Sequence, residues 1–388
     1  MVWSSLHYAQ PLTDLDERRD GAIDVIGRQR GRHLGADARL AARHHRVEEA
    51  GHIDALVAYA ENWLSGYHRT VIGFAGIYAI LAVSLSFSNG LTGLFSLGHP
   101  AFMMVGAYTA AILTFPVSRK GFMLPALPEW LATLELPLLP ATIAGALAAG
   151  AVAVVVGFPV LRLRGHYLAV ATLGLIIVLA VFINNANDLT RGALGLNGIP
   201  RLTSLWVILG WLIVTLVVCW RLKHSSVGRS LMALRENEMA AACIGVNRAR
   251  TRLIAFSLGA FFAGVGGALW AHLLTNLTPN SFNLALAFML VVMVVIGGSG
   301  SLVGAILAAV AIMVLREVLR PVEQAMSAYG LVQIVIAVLL IGTLVLRPQG
   351  FFGSSEPRFL RPGPAVAKTE GSGPPDRRNR PAVAPAEN

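Results

Sequence analysis

The sequence predicts an all-α fold: a polytopic transmembrane helical bundle of about 8–10 spans, some of them broken. Three observations predict it: the scarcity of charge, the placement of what charge there is, and glycine-rich interruptions inside apolar runs. Only 13% of the 388 residues are charged and 55% are hydrophobic, where a soluble domain carries about 25% charge. No Asp, Glu, Lys or Arg occurs over 70–118, 136–161, 166–187, 202–220, 253–315 or 324–346. A helix crosses a hydrocarbon core of about 30 Å with roughly 20 apolar residues, and a charge at its centre costs about 2.5–3.5 kcal/mol. Soluble cores do not account for six such stretches.

Helices are expected at about Thr70–Ser88, Pro100–Phe115, Leu139–Pro159, Tyr167–Ile183, Leu205–Trp220, Leu253–Ala271, Leu284–Ile296, Gly304–Leu319 and Tyr329–Leu346. Residues 1–68 read as a polar N-terminal tail without a signal peptide, with an amphipathic surface helix over Ile53–Tyr67. Residues 69–353 form the transmembrane domain, 222–252 its cytoplasmic loop, and 354–388 a disordered, proline-rich C-terminal tail. The apolar spans make membrane lipid a partner. The formal charge of +10 does not indicate nucleic acid, because the basic residues cluster in loops beside apolar spans. Two isolated cysteines, Cys219 and Cys243, suggest no disulfide framework.

Arg162 and Arg164, and the seven basic residues over 221–252, mark cytoplasmic loops. The segment Asn184–Thr203 then lies outside, the C-terminal tail inside, and the N-terminal tail outside if the first helix is a full crossing. Arg119 and Lys120 also fall outside, against the trend.

Two glycine-rich breaks, Gly90 to Gly98 and Gly297 to Gly304, occur in similar settings and point to a remote internal duplication. Backbone released at membrane depth must be packed in protein or line a wet cavity. Gly297, Gly298 and Gly300 would weaken a continuous helix by about 3 kcal/mol. The backbone therefore leaves the helix there or another helix packs close; the first is expected, with Ser299 and Ser301 lining or bracing a pathway. Further pathway candidates are Ser96 and His99 in the first break, and Asn184, Asn185 and Thr190 at the outer end of a span.

Within or beside the spans the ionisable groups expected are His99, His166 and His272, with no carboxylate. Ion-coupled carriers hold acidic or histidine chains there, so coupling energy is expected from elsewhere. A P-loop is also missing: the one lysine followed by Ser or Thr, Lys368, lies in a proline-rich segment. If ATP drives the protein, a partner binds it. The segment Ser225–Leu253 offers a docking site, a short helix with Ser226 as N-cap and Leu231, Leu234 and Ala241 near one stripe. Arg229, Arg235, Glu236 and Glu238 supply the charged flank, and Gly245 and Asn247 terminate it. Such a helix suits docking in a groove or lies on lipid headgroups.

The chain resembles the branched-chain amino acid permease family of ABC importers, and within it the LivM-type subunit. The segments that carry the resemblance are GLFSLGHPAFMMVGAYTAAIL at 93–113, LRLRGHYLAVATLG at 161–174, LTRGALGLNGIP at 189–200, the stretch 225–271, VVMVVIGGSGSLVGAILAA at 291–309 and RPQGFFG at 347–353. The resemblance implies a permease of the bacterial inner membrane with no catalysis of its own and no cofactor. ATP and Mg would be bound by cytoplasmic ATP-binding subunits. It further implies a homologous second permease (LivH-like) and an extracytoplasmic solute-binding protein. It assigns coupling to Arg235, Glu236, Glu238, Ala241 and Gly245, beside Arg229 on the same helix. Branched-chain amino acids and related small polar solutes such as urea-like amides are the expected cargo. Arg191 and Ala193 depart from the T-G-G that related chains often show before Gly195. The rival classes are a channel or passive facilitator, which needs no ATPase, and an intramembrane enzyme, which needs a catalytic cluster within the spans.

Overall fold

The computed structural model describes residues 66–124, 127–163, 165–327, 330–347, 350, 351 and 353. The two tails and nearly all of the expected surface helix at Ile53–Tyr67 lie outside the described residues. Each of the nine expected spans is a helix. Helix α1 (Gly66–Leu85) runs on into a π-helical turn at Ser86–Gly90. Helix α2 (His99–Thr114) is bent by 117° from α3 (Val117–Met123), and the short α4 (Glu129–Ala132) follows. Helices α5 (Leu138–Val160), α6 (His166–Asn185) and the short α7 (Asn187–Thr190) lead to a two-residue strand β1 (Leu196–Asn197).

Next come α8 (Leu205–Lys223), α9 (Ser226–Glu236), α10 (Glu238–Cys243) and α11 (Arg248–Leu274). Strand β2 (Asn276–Leu277) pairs antiparallel with β1, Leu196 opposite Leu277. Helices α12 (Leu284–Gly297), α13 (Leu302–Met326) and α14 (Leu331–Leu346) complete the described chain. Seven described helices are long and apolar enough to cross a membrane, and the bent α2–α3 pair would make eight. The 16-residue α14 is shorter. The chain is an all-α polytopic membrane protein.

Short polar side chains start the helices. Ser204, Ser225, Asn247, Asn283 and Ser301 each accept a hydrogen bond from a backbone N–H in the first turn of the helix that follows, satisfying donors that the helix itself cannot. The cap of α9 is Ser225, one residue before the one expected. The docking segment is also two helices rather than one. The Asn237 side chain accepts from the backbone N–H of Met239 and Ala240, both at 3.0 Å, and restarts the helix as α10.

The core is built on α2, α5 and α11 through small residues, which let apolar helices approach where no hydrophobic force between them exists. A β-carbon on Gly106 would stand 2.4 Å from the Gly264 Cα, and one on Gly264 would stand 2.7 Å from the Ala149 Cβ. By contrast α5, α6 and α8 leave Leu147, Val155, Val170, Ile177, Ile213 and Val217 exposed, the surface a bilayer covers.

Helix ends sort into two groups. The β1–β2 pair, the Thr114 Oγ1–His272 Nε2 bond of 2.7 Å and the Leu136 N–H to Leu113 carbonyl bond of 2.9 Å lie at one end. At the other, Gly90 meets Gly300 and Arg235, and Gly157 meets Leu253 and Phe256. The basic loop and Arg162 thus share an end opposite Asn184–Thr203. The expectation of no carboxylate inside a span needs correction. Helix α13 extends to Met326 and carries Arg316, Glu317, Arg320 and Glu323. The helix outlasts its apolar run, and its second half brings these charges toward the β1–β2 end.

Replacing Gly264 by Leu should overfill the α2–α5–α11 contact, where overpacking costs about 1–3 kcal/mol or more. We expect little monodisperse protein by fluorescence-detected size exclusion. A wild-type yield of folded Gly264→Leu would contradict this packing account.

Candidate functional site

The structure gathers the two breaks and the docking helices into one assembly. The first break is braced locally. The Asn89 side chain donates to the Ser96 carbonyl at 2.7 Å, the Ser96 hydroxyl accepts from the Gly98 N–H at 3.3 Å, and the Thr172 hydroxyl of α6 accepts from the Leu97 N–H at 3.0 Å. Ser96 therefore holds the turn. His99 opens α2 fully enclosed, 3% exposed, and neither ring nitrogen has a partner among the described residues.

The second break departs from the helix, with Gly298 at φ 105° and Gly300 at φ 96°. Close packing occurs there as well. A β-carbon on Gly297 would stand 2.5 Å from the Gly304 carbonyl oxygen, and one on Gly350 would stand 2.5 Å from the Gly298 Cα. Both readings of the glycine cluster therefore describe this segment.

The two breaks touch. The Ser86 hydroxyl donates to the Ser301 carbonyl at 3.2 Å, and the Gly300 amide nitrogen lies 2.4 Å from where a Gly90 β-carbon would be. Two cations from the basic loop finish the assembly. Arg235 Nη1, at the end of α9, donates to the Gly90 carbonyl at 2.6 Å and to the Ser299 carbonyl at 3.4 Å. Lys223 Nζ, at the end of α8, donates to the Gly300 carbonyl at 2.7 Å. A cavity of about 220 Å³ lies between the breaks, walled by Leu85, Asn89, Phe95, Val291, Val295 and Arg235.

The residues expected to dock a partner divide by their contacts. Leu231, Leu234 and Ala241 are buried and anchor α9 and α10. Glu238 pairs with Arg248 and with Arg252, the latter at 3.1 Å, tying α10 to the start of α11. Arg229 donates to the His224 carbonyl at 3.2 Å and is otherwise exposed, as are Glu236 and Gly245. Met239 and Ile244 are 78% and 76% exposed, an apolar pair on the surface of the basic loop that sequence reasoning missed.

The remaining pathway candidates lie at the β1–β2 end. Thr190 is buried and donates to the Ile183 carbonyl at 2.6 Å, the exposed Asn185 donates to the Val181 carbonyl at 2.8 Å, and Asn184 is half-buried beside Gly192. On α6, Asn184 is twelve residues from Thr172, or about 18 Å at a rise of about 1.5 Å per residue. The structure thus brings Gly297, Gly298 and Ser299 to Arg235, keeps Ser96 and His99 nearby across the first break, and leaves Asn184, Asn185 and Thr190 far away. Lys223 was missed. It reads as one of many loop cations, and the fold alone shows what it holds.

Known proteins match this chain along most of its helical part. A family model described as the branched-chain amino acid transport system / permease component matches residues 68–344. The chain belongs to this permease family. The permease is 32% identical over 342 residues to the high-affinity branched-chain amino acid transport system permease protein LivM of Escherichia coli strain K12, a match that covers 79% of this chain and 75% of that one. The LivM of Salmonella typhimurium strain LT2 is 32% identical over 349 residues, covering 80% and 77%. The autoinducer 2 import system permease protein LsrC of Klebsiella pneumoniae is 33% identical over 109 residues, covering 26% and 31%. No solved structure matches the chain. Family membership and the apolar helices make the permease a multi-pass protein of the bacterial inner membrane.

Gly298 tests the geometry of the second break. Its backbone conformation (φ 105°, ψ 119°) is open to glycine alone. Gly298→Ala should already lower the amount of folded permease, and Gly298→Leu should lower it further, both read by size exclusion of solubilised membranes. Wild-type amounts of both variants would contradict the described break.

Proposed function

We propose that the permease is the membrane subunit of an ATP-driven importer, carrying branched-chain amino acids or a related small polar solute such as a urea-like amide. Cytoplasmic ATP-binding subunits would bind ATP and Mg, a homologous second permease (LivH-like) would complete the membrane portion, and an extracytoplasmic solute-binding protein would deliver the cargo. The permease itself would carry out no covalent chemistry. The names of its relatives support cargo and transport class: branched-chain amino acids for the LivM proteins, autoinducer 2 for LsrC.

One observation carries the reading. The helix pair α9–α10 is held to the core by Leu231, Leu234 and Ala241, exposes Met239, Ile244, Glu236 and Arg229, and reaches both breaks through Arg235. A push on the exposed face would reach the broken ends of α1 and α12 through Arg235, across the turn at Asn237. Alternating access by rocking helices needs such a handle. A passive channel has no use for it.

The test is a tagged chain in its own cells. We expect an ATPase to co-purify with it, and labelled leucine uptake to depend on it. Met239→Asp with Ile244→Asp, both on the exposed face, should cut ATPase recovery and uptake at least about tenfold at unchanged membrane abundance, the effect of losing about 1.4 kcal/mol of docking energy. Unchanged ATPase recovery and uptake would remove the docking assignment. Uptake without any associated ATPase would favour a facilitator.

A further inference from the structure

A second cavity, of about 570 Å³, lies between α1, α11, α12, α13 and α14. That size is ordinary for a small-molecule site. Its polar lining comes from Tyr78, Trp270, Ser281, Asn283, Arg316 and Gln333, and the rest of the wall is apolar. No Asp or Glu lines it among the described residues. Asn283 and Gln333 belong to the starts of α12 and α14, so the cavity lies toward the β1–β2 end, away from the breaks.

Two donors there are underserved. Arg316 offers five N–H groups in a rigid fork. Arg316 is exposed, and among the described residues its side chain donates to the Met289 sulfur at 3.7 Å and interacts with the Tyr78 hydroxyl. The two turns of α13 before it present only Ala, Ile, Leu, Met and Val, and a thioether and a phenol do not compensate a guanidinium beside such a run. Glu317, Arg320 and Glu323 follow on the same helix but do not line the cavity. The second donor is the Trp270 indole N–H, buried with no acceptor, on a ring fixed edge-on against Phe74 at 4.8 Å and Tyr78 at 5.7 Å. A fork of N–H groups and a further N–H on one cavity, opposite an aliphatic wall, match one ligand chemistry: a carboxylate on a small aliphatic body.

We propose that this cavity binds such a carboxylate, with Arg316 engaging both oxygens, the Trp270 N–H donating beside it, and the aliphatic part against Phe288, Val292, Ile336 and Leu340. A transported acid and a fatty acid from the bilayer share that chemistry. Because no acidic side chain lines the cavity, an amino group on the ligand adds little. The assignment goes beyond the import reading and is tested without nucleotide or partner subunits, so its failure leaves that reading untouched.

The experiment is calorimetric titration of the full chain in zwitterionic nanodiscs with L-leucine, 4-methylpentanoate and leucinamide. We expect both acids to bind, 4-methylpentanoate at least as tightly as leucine, and leucinamide at least about tenfold more weakly. Arg316→Gln should weaken both acids about tenfold or more, and Arg316→Lys, which keeps the charge and loses the fork, by an intermediate factor. Mass spectrometry of the organic extract distinguishes the sources. A fatty acid retained by the wild type and lost from Arg316→Gln makes the bilayer the source, and soluble acids binding to a fatty-acid-free chain make it the solute. Leucinamide binding as tightly as leucine overturns the proposal on the wild-type chain alone, whether or not a variant folds. So does acid binding that Arg316→Gln leaves unchanged, or a chain that binds neither soluble nor fatty acid.

Discussion

Carbonyl groups released by a broken helix inside a membrane protein must find donors, and the architecture at the Arg235 end follows from how they do. Water-poor surroundings make each unsatisfied group expensive. The carbonyls of Gly90, Ser299, Gly300 and Ser301 are met in turn by Arg235, Arg235 again, Lys223 and Ser86. Hydrogen bonds to charged groups contribute about 1.5–3 kcal/mol each where they are shielded from water; Arg235 is exposed, so its share is smaller. The cations come from α8 and α9, the breaks from α1 and α12–α13. Separate stretches of sequence are thereby fixed to one another at one end of the bundle.

Rigidity elsewhere makes that junction consequential. The α2–α5–α11 core closes through glycine and alanine contacts too tight to slide past a β-carbon, and a packed interior deforms in discrete steps. On the proposed import reading, a displacement of α9 would bear on the breaks, where α1 and α12 leave the α-helix and Arg235 holds both. The cavity around Arg316 touches α1 and α12 as well as α11, α13 and α14, toward the opposite end of the bundle.

The helices were legible because spans lie along long charge-free runs; each of the nine expected spans corresponds to a helix, and only Gly304–Leu319 carries charge, at Arg316 and Glu317. The start of α9 was legible to within a residue, since Ser225 and Ser226 are chemically alike and backbone geometry alone chooses the cap, whereas α1 and α11 begin four and five residues before the expected Thr70 and Leu253. The division at Asn237 was not read, although asparagine is as good an N-cap as serine; a helical stripe through Ala241 suggested continuity instead. Arg316 falls inside the expected span Gly304–Leu319 but follows directly on the charge-free run 253–315 and reads as its border; the helix continues past it to Met326 and closes on Ser327, its left-handed C-cap. The pathway candidates at Asn184, Asn185 and Thr190 were chosen for polarity, and in the fold the Asn185 and Thr190 side chains bond to backbone carbonyls of the α6–α7 end. Contacts between distant segments, such as Arg235 with Gly90, leave no periodic trace in one sequence.

The central claim is that Arg235 holds the two breaks as one unit. Hydrogen–deuterium exchange of the full chain in nanodiscs, wild type against Arg235→Gln, tests it most directly. The account predicts that peptides covering 88–98 and 297–301 lose protection together, while the α2–α5–α11 core is unchanged. Loss at one break alone, or at neither, would contradict it.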